Sequence, residues 1–492
     1  MSQQRRHLTI SQLVAFVVAL LVVGLMVFID GRDVKTTETA SPVALEMPFV
    51  SAAAQSSSSW FCPGVPGNDG TISGTIAISN SSDADFIATI TRLGNGVAPV
   101  YSTVGVPARS HVYENVRAGI ESPYISVIVE IIGGVGSVEQ MINHPAGNSV
   151  ALCANEPATE WHFADGFTGA DSLHNLVLTN PYSDSTVVDI SFVTRDSTRE
   201  PAHLQGFVIP PLSVVALNMA KEGARNEPVL AVSVRASAGK LVVGRSQHYL
   251  GDGRLGYTMA LGSSGTSPEW WFADGENIEG ANEQLVILNP SDEDVSLSVL
   301  FVVGDGSDAI TQPASLTAPA GRVTLFDTGS YPGVPTGRYG MIVSTVDVPG
   351  EVSSGVVVEQ VINRRIGNTV ATSVVLGAPY GAASTIWSAP SGVSSGIGDA
   401  LIVFNATPAE SVVSVSQVGP AGSVALPGLE SVVLSAGGLA VVAIPAGISE
   451  GEIIVQASSP VVVQRMLLRG HDLPGRSAVL AIPTLPSPVD ES

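Results

Sequence analysis

The chain has 492 residues, of which only 13% are charged, about half the usual share of roughly 25%. Its 44 Asp and Glu against 22 Lys and Arg give a formal charge of -22. A surface this acidic repels phosphate backbones and excludes nucleic acid as a partner, while keeping an apolar-rich surface (45% hydrophobic) soluble. The length suits three or four domains, and 51 Gly with 32 Pro suit many turns.

Residues 1–7 read as a cytoplasmic tail carrying Arg5 and Arg6. Residues 8–29 follow as a transmembrane helix, because the run LTISQLVAFVVALLVVGLMVF carries no charge and is long enough to cross about 30 Å of hydrocarbon. The run exceeds the 7–15 residues of a signal-peptide core and no A-x-A site closes it, so we read an anchor rather than a cleaved leader. The two arginines place the N-terminus inside, and the remaining chain is expected outside the cytoplasmic membrane. Residues 30–58, rich in Ser, Ala and Thr without a sustained period, read as a flexible tether.

Beyond the tether the chain repeats itself. SWFCPG at 59–64, WHFADG at 161–166, WWFADG at 270–275 and WSAPSG at 387–392 start 102, 109 and 117 residues apart. The motif residues expected to be structural are Trp161, Asp165, Gly166, Trp270, Asp274, Gly275 and Trp387. Each copy continues with a short apolar strand closed by Asn: IAISN at Asn80, LVLTN at Asn180, LVILN at Asn289 and LIVFN at Asn405. Asn tolerates the left-handed region and forms Asx-turns, so these four are expected to be turn residues. The acceptor patterns at Asn80-Ser81-Ser82 and Asn405-Ala406-Thr407 coincide with them. Alternating strands come next, such as Val295, Leu297, Val299 and Phe301 with serines between. A proline-led strand, a hairpin and a small apolar strand end each copy.

About seven short strands per hundred residues predict an all-β chain of four tandem antiparallel, Ig-like β-sandwiches at 59–155, 156–264, 265–380 and 381–486, with a tail at 487–492. A propeller blade is shorter, and a sandwich of this size buries its own core, so the copies are expected in a row. The Trp-x-x-Ala-Asp-Gly start, the Asn-Pro turn and the VVVEQ-type strand resemble the WYFAEG-type repeats of actinobacterial surface proteins. Together with the single anchor, residues 59–485 resemble domain-of-unknown-function family 5719. That resemblance implies a cell-envelope setting beside glycosyltransferases and carries no catalytic residue with it.

Cys62 and Cys153 are the only cysteines and bracket the first copy. Outside the cytoplasm a disulfide is the natural reading. No metal-ligand spacing, nucleophile elbow or nucleotide fingerprint occurs in a fitting context, so no enzyme activity, metal or cofactor is expected. Asp165 and Asp274 read as turn residues. Glu139-Gln140 and Glu359-Gln360 share one strand position with Gly244-Arg245 and Gln464-Arg465, which suggests no fixed chemistry there. The tryptophans are expected to pack a core or a joint between copies, with sugar stacking as the alternative. The expected function is a non-enzymatic, membrane-anchored envelope protein for scaffolding or binding. Its expected partners are the membrane, through the N-terminal helix, and an envelope glycan or protein. A glycan-binding or accessory subunit of an envelope-polymer glycosyltransferase system is the alternative, and an extracytoplasmic hydrolase is further off.

Overall fold

The computed structural model describes residues 46–51, 57–133, 136–303, 312–346, 354–392, 398–445, 451–470 and 472–485. The expected tail at 1–7, the helix at 8–29, most of the tether and the tail at 487–492 lie outside them. Among the described residues no helix is long and apolar enough to cross a membrane. The described residues are all-β, in sheets that are antiparallel except for one two-residue edge pair.

The first copy shows the plan. A two-residue strand β1 (Val50–Ser51) is followed by β2 (Ser57–Pro66), β3 (Ser73–Asn80), β4 (Phe86–Gly94), β5 (Val100–Val106), β6 (Ser110–Asn115), β7 (Tyr124–Ile132), β8 (Gly136–Asn143) and β9 (Ser149–Leu152). One sheet runs β2-β7-β4-β5 and the other β6-β3-β8-β9. Period-two alternation sends Ala88 and Ile90 inward while Ile87 stays exposed, as a half-buried sheet requires. The second and third copies repeat both sheets. In the fourth, one 16-residue strand, Ile453–Leu468, runs through both.

The four copies do not stand in a row. They belong to one unit spanning Leu45–Val489, and their last strands meet. These strands are β9, Arg254–Leu261, Thr369–Leu376 and Arg476–Leu480, and each packs on the next, with the fourth returning to the first. The Met259 amide donates to Ser149 Oγ at 3.1 Å, the Leu255 amide to Thr372 Oγ1 at 3.0 Å, and Ser477 Oγ to the Asn148 carbonyl at 3.1 Å. The reason is visible in β9: all four of its residues are buried, so it has no wet face. An edge strand of that kind must be covered, and the neighbouring copy covers it.

The equivalent residues Leu152, Leu261, Leu376 and Leu480 converge on a small apolar cavity of about 50 Å3. Glu46, Met47 and Pro48 also line it. Val50 and Ser51 then pair with Thr484 and Leu485, the one parallel pair among the described strands. The end of the expected tether is therefore built into the body, and it joins the first copy to the last.

Candidate functional site

The Trp motif is the natural place to begin. In strand register Trp60, Trp161, Trp270 and Trp387 face Val129, Val234, Val343 and Val455. Trp60, not Ser59, thus holds the leading position of copy one, so its motif begins one residue later than the spacing of SWFCPG suggests. All four indoles are almost completely buried. Trp161, Trp270 and Trp387 donate Nε1–H to the carbonyls of Leu241, Val356 and Val461 at 2.8–2.9 Å, each within its own copy. They tie the two sheets of one sandwich together and are core residues, not joints.

The disulfide is formed, with Cα atoms 4.2 Å apart, slightly below the usual reach of roughly 4.4–6.8 Å. The corrected register puts Cys62 opposite Val127, in the position of Phe163, Phe272 and Ala389. Cys153 corresponds to Gly262, Gly377 and Ala481. A β-carbon on Gly262 would lie 2.8 Å from the Phe163 ring, and one on Gly377 would lie 2.7 Å from the Phe272 ring. The disulfide therefore occupies the space where copies two and three lay a phenyl ring over a glycine.

Asn80, Asn180, Asn289 and Asn405 are fully buried. Each accepts at Oδ1 from the amide two residues on, at 3.0–3.1 Å, and donates Nδ2–H to the carbonyl four residues on. The same amide reaches a second loop, at Val106, Ile209, Ala318 or Ser435. Asn80 and Asn405 have no free amide to carry a glycan in the folded chain.

Asp165 and Asp274 are not turn residues. The motif strand bulges between Phe272 and Gly275, and the aspartates turn inward. Arg254 Nη1 donates to both Asp165 oxygens, at 2.9 and 3.0 Å. Burial opposes this charge, but Arg254 and Arg245 outweigh it and hold the carboxyl below the ordinary range. Asp274 pairs with Arg338 and Arg364, yet burial prevails and lifts it to about 6. Beside it, Glu283 is fully buried; desolvation lifts it to about 7 against hydrogen bonds from Tyr339, Gln360 and Thr328. Gly166 and Gly275 are needed for space: a β-carbon would meet the His174 ring or the Tyr339 ring.

The strand position judged chemically variable is a complementary pair. Arg245 of copy two binds Glu359 of copy three at 2.7 and 2.9 Å, and Arg465 of copy four binds Glu139 of copy one at 2.8 and 2.9 Å. Glu359 also accepts the Asp165 amide at 2.6 Å, and Glu139 the equivalent Ser391 amide at 2.7 Å. Odd copies supply Glu and even copies supply Arg. The alternation of Glu-Gln with Gly-Arg and Gln-Arg was the signal. Such a signal is legible only as complementarity between copies, because neither residue type recurs in all four.

Two larger openings lie between copies. One, of about 440 Å3 between copies one and four, holds Glu452. That carboxyl accepts from Ser79 Oγ at 2.6 Å, Ser137 Oγ at 2.9 Å and Ser388 Oγ; burial outweighs these bonds and raises its pKa. The other, of about 790 Å3, lies between copies two and three. Asn282, Gln284, Asn363 and Arg365 come from adjacent strands on its one wall, and Arg195, Asn226, Asp252 and Arg254 line the other. Its volume lies within the roughly 300–1,000 Å3 common for small-ligand pockets. Among the described residues no group of three or more His, Cys, Asp or Glu is placed to hold a metal ion.

Both walls of this cleft, and the Arg245–Glu359 pair beneath it, fall within residues 137–373, which match the model of a family of unknown function, DUF5719. The match covers just under half of the chain and marks that span as similar to DUF5719. No curated protein matches it. Among solved structures it is similar to the Thermotoga maritima 1070 protein, at 17% identity over 23% of this chain and 93% of that one, with a TM-score of 0.19. It is also similar to a tetra-tandem repeat in the extending region of a large adhesion protein, at 11% identity over 84% of this chain and 95% of that one, with a TM-score of 0.10. Scores this low support no structural transfer.

Proposed function

We propose that this protein is a non-enzymatic scaffold of the cell envelope, anchored by its N-terminal helix and displaying four Ig-like sandwiches outside the membrane. The observation that carries the reading is the seating of residues 46–51. Met47 is buried at the meeting point of the four copies and Val50–Ser51 pair with the last strand. An anchor attached through this segment holds the first and last copies together, so the body is presented as one piece. The displaced carboxyls support a structural role as well, because Asp165, Asp274, Glu283 and Glu452 are all buried and engaged.

The test is protease treatment of sealed cells or spheroplasts, followed by detection of the repeats and of the N-terminal tail. Digestion of the repeats with survival of the tail agrees with the proposal. Full protection of the repeats in sealed cells rejects it. A second reading, glycan binding, is favoured by the amide- and guanidinium-lined cleft between copies two and three. The tryptophans do not favour it, since they are buried.

A further inference from the structure

The residues that recur in every copy of this chain serve the fold, so a ligand site is to be sought where one copy departs from the rest. Register equivalence locates such a departure at Asn282, Gln284 and Arg365, beside Asn363, which copy one shares as Asn143. Asn282, Gln284, Asn363 and Arg365 of copy three correspond to Leu173, Asn175, His248 and Leu250 of copy two, and to Ser73, Thr75, Asn143 and Pro145 of copy one. Asn282 pairs with Asn363 across two neighbouring strands, and Arg365 is held at their end by its amide, which donates to the Gly280 carbonyl at 2.7 Å. These planar amides offer paired donors and acceptors, the groups that recognise sugar hydroxyls.

The charge in the same cleft is unusual for this chain. With 22 cationic side chains against 44 acidic ones, most arginines near carboxylates are paired. Arg195 and Arg365 are exposed and, among the described residues, make no ion pair. They come from opposite walls of one opening, and among the described residues Asp252 is the sole carboxylate lining it. Two unpaired arginines lining one space are suited to bidentate binding of a carboxylate or phosphate.

We propose that the cleft between copies two and three binds an acidic saccharide, whose acid group is held by Arg195 and Arg365 and whose hydroxyls meet Asn282, Gln284 and Asn363. This rests on the glycan-binding reading and narrows it to anionic sugars. The experiment is calorimetric titration of the full chain in detergent with a trigalacturonate, a trigalactoside and the monophosphate of that trigalactoside. The acidic sugars should bind at least about tenfold more tightly than the neutral one, the value of one charge-assisted hydrogen bond, and the preference should shrink with salt. Arg195→Gln and Arg365→Gln should each remove it at an unchanged melting temperature. Arg235→Gln, which alters an exposed arginine paired with Glu160 outside the cleft, should leave it intact. The tighter of the two acidic probes identifies the acid. Equal binding of acidic and neutral sugars, or full affinity in both arginine variants, overturns the proposal. If neutral binding persists and Asn282→Ala abolishes it, glycan binding stands and the acidic preference falls. If no sugar binds, both fall.

Discussion

Arg245 and Glu359 lie 2.7 Å apart, both are buried, and they come from different copies of the repeat. Their pairing is matched by Arg465 and Glu139 at 2.8 Å across the joint between the fourth and first copies. Among the described residues, two of the four joints are thus fixed by a buried arginine–glutamate pair and two are not, so copies two and three form one pair and copies four and one the other.

Removing one partner should be costly. Glu359→Gln leaves a buried guanidinium without its counter-charge, and the expected loss is about 3–5 kcal/mol. The double variant Arg245→Met/Glu359→Leu should lose much less, because a well-packed apolar pair replaces both desolvated charges. Denaturant titration of the two variants checks this. A single variant no less stable than the double would show that the pair is exposed to water in solution.

The indoles give a second prediction with an internal control. Trp270→Ala should cost about 3–5 kcal/mol, since the side chain is buried and bonded to Val356. Trp271 is half-buried and donates to the adjacent Glu269, so Trp271→Ala should cost less than about 1 kcal/mol. Calorimetric melting of both variants separates core packing from surface stacking.

For the disulfide, a separation of 91 residues implies stabilisation of about 4–5 kcal/mol in the chain-entropy account. Reduction should lower the melting temperature accordingly. The double variant Cys62→Phe/Cys153→Gly installs the packing of copies two and three, and it should melt higher in reductant than Cys62→Ala/Cys153→Ala. Equal melting of the two double variants would mean that the phenyl ring does not find the glycine in copy one.

Glu283 predicts a pH dependence. Its folded pKa, about 7, stands above the ordinary 4.5 because burial disfavours the charge. Between these values the folded state binds the extra proton, so this group's contribution to stability falls as pH rises. The penalty is absent below about 4.5 and complete above about 7. Glu283→Gln mimics the protonated form and should therefore stabilise the chain at pH 8 while leaving it nearly unchanged at pH 4.5. Melting curves across this interval, with no gain at the alkaline end, would place a solvated carboxylate at this position.

Much of the fold was legible locally. Alternation in strands such as Val295–Val303 announced half-buried sheets, and the recurring Asn announced a loop that its own amide could close. Four copies of one motif announced a set of antiparallel sheets that recurs along the chain. These readings depend on residues a few positions apart, where chain geometry alone decides which side chains can meet.

What the sequence by itself determined, then, is the all-β character, the number of copies, the turn asparagines and the pairing of the only two cysteines. Tertiary structure decided the rest. That the last strands meet, that Met47 sits among them, that Glu359 answers Arg245 and that Arg195 and Arg365 line one cleft all depend on residues from different copies or from the chain's far ends. The apolar run of β9 hinted that its strand had no wet face, but not what would cover it. Burial is a property of one residue and leaves a pattern in the chain. A buried charge pair is a property of two, and its partner is chosen by packing geometry that no local pattern encodes.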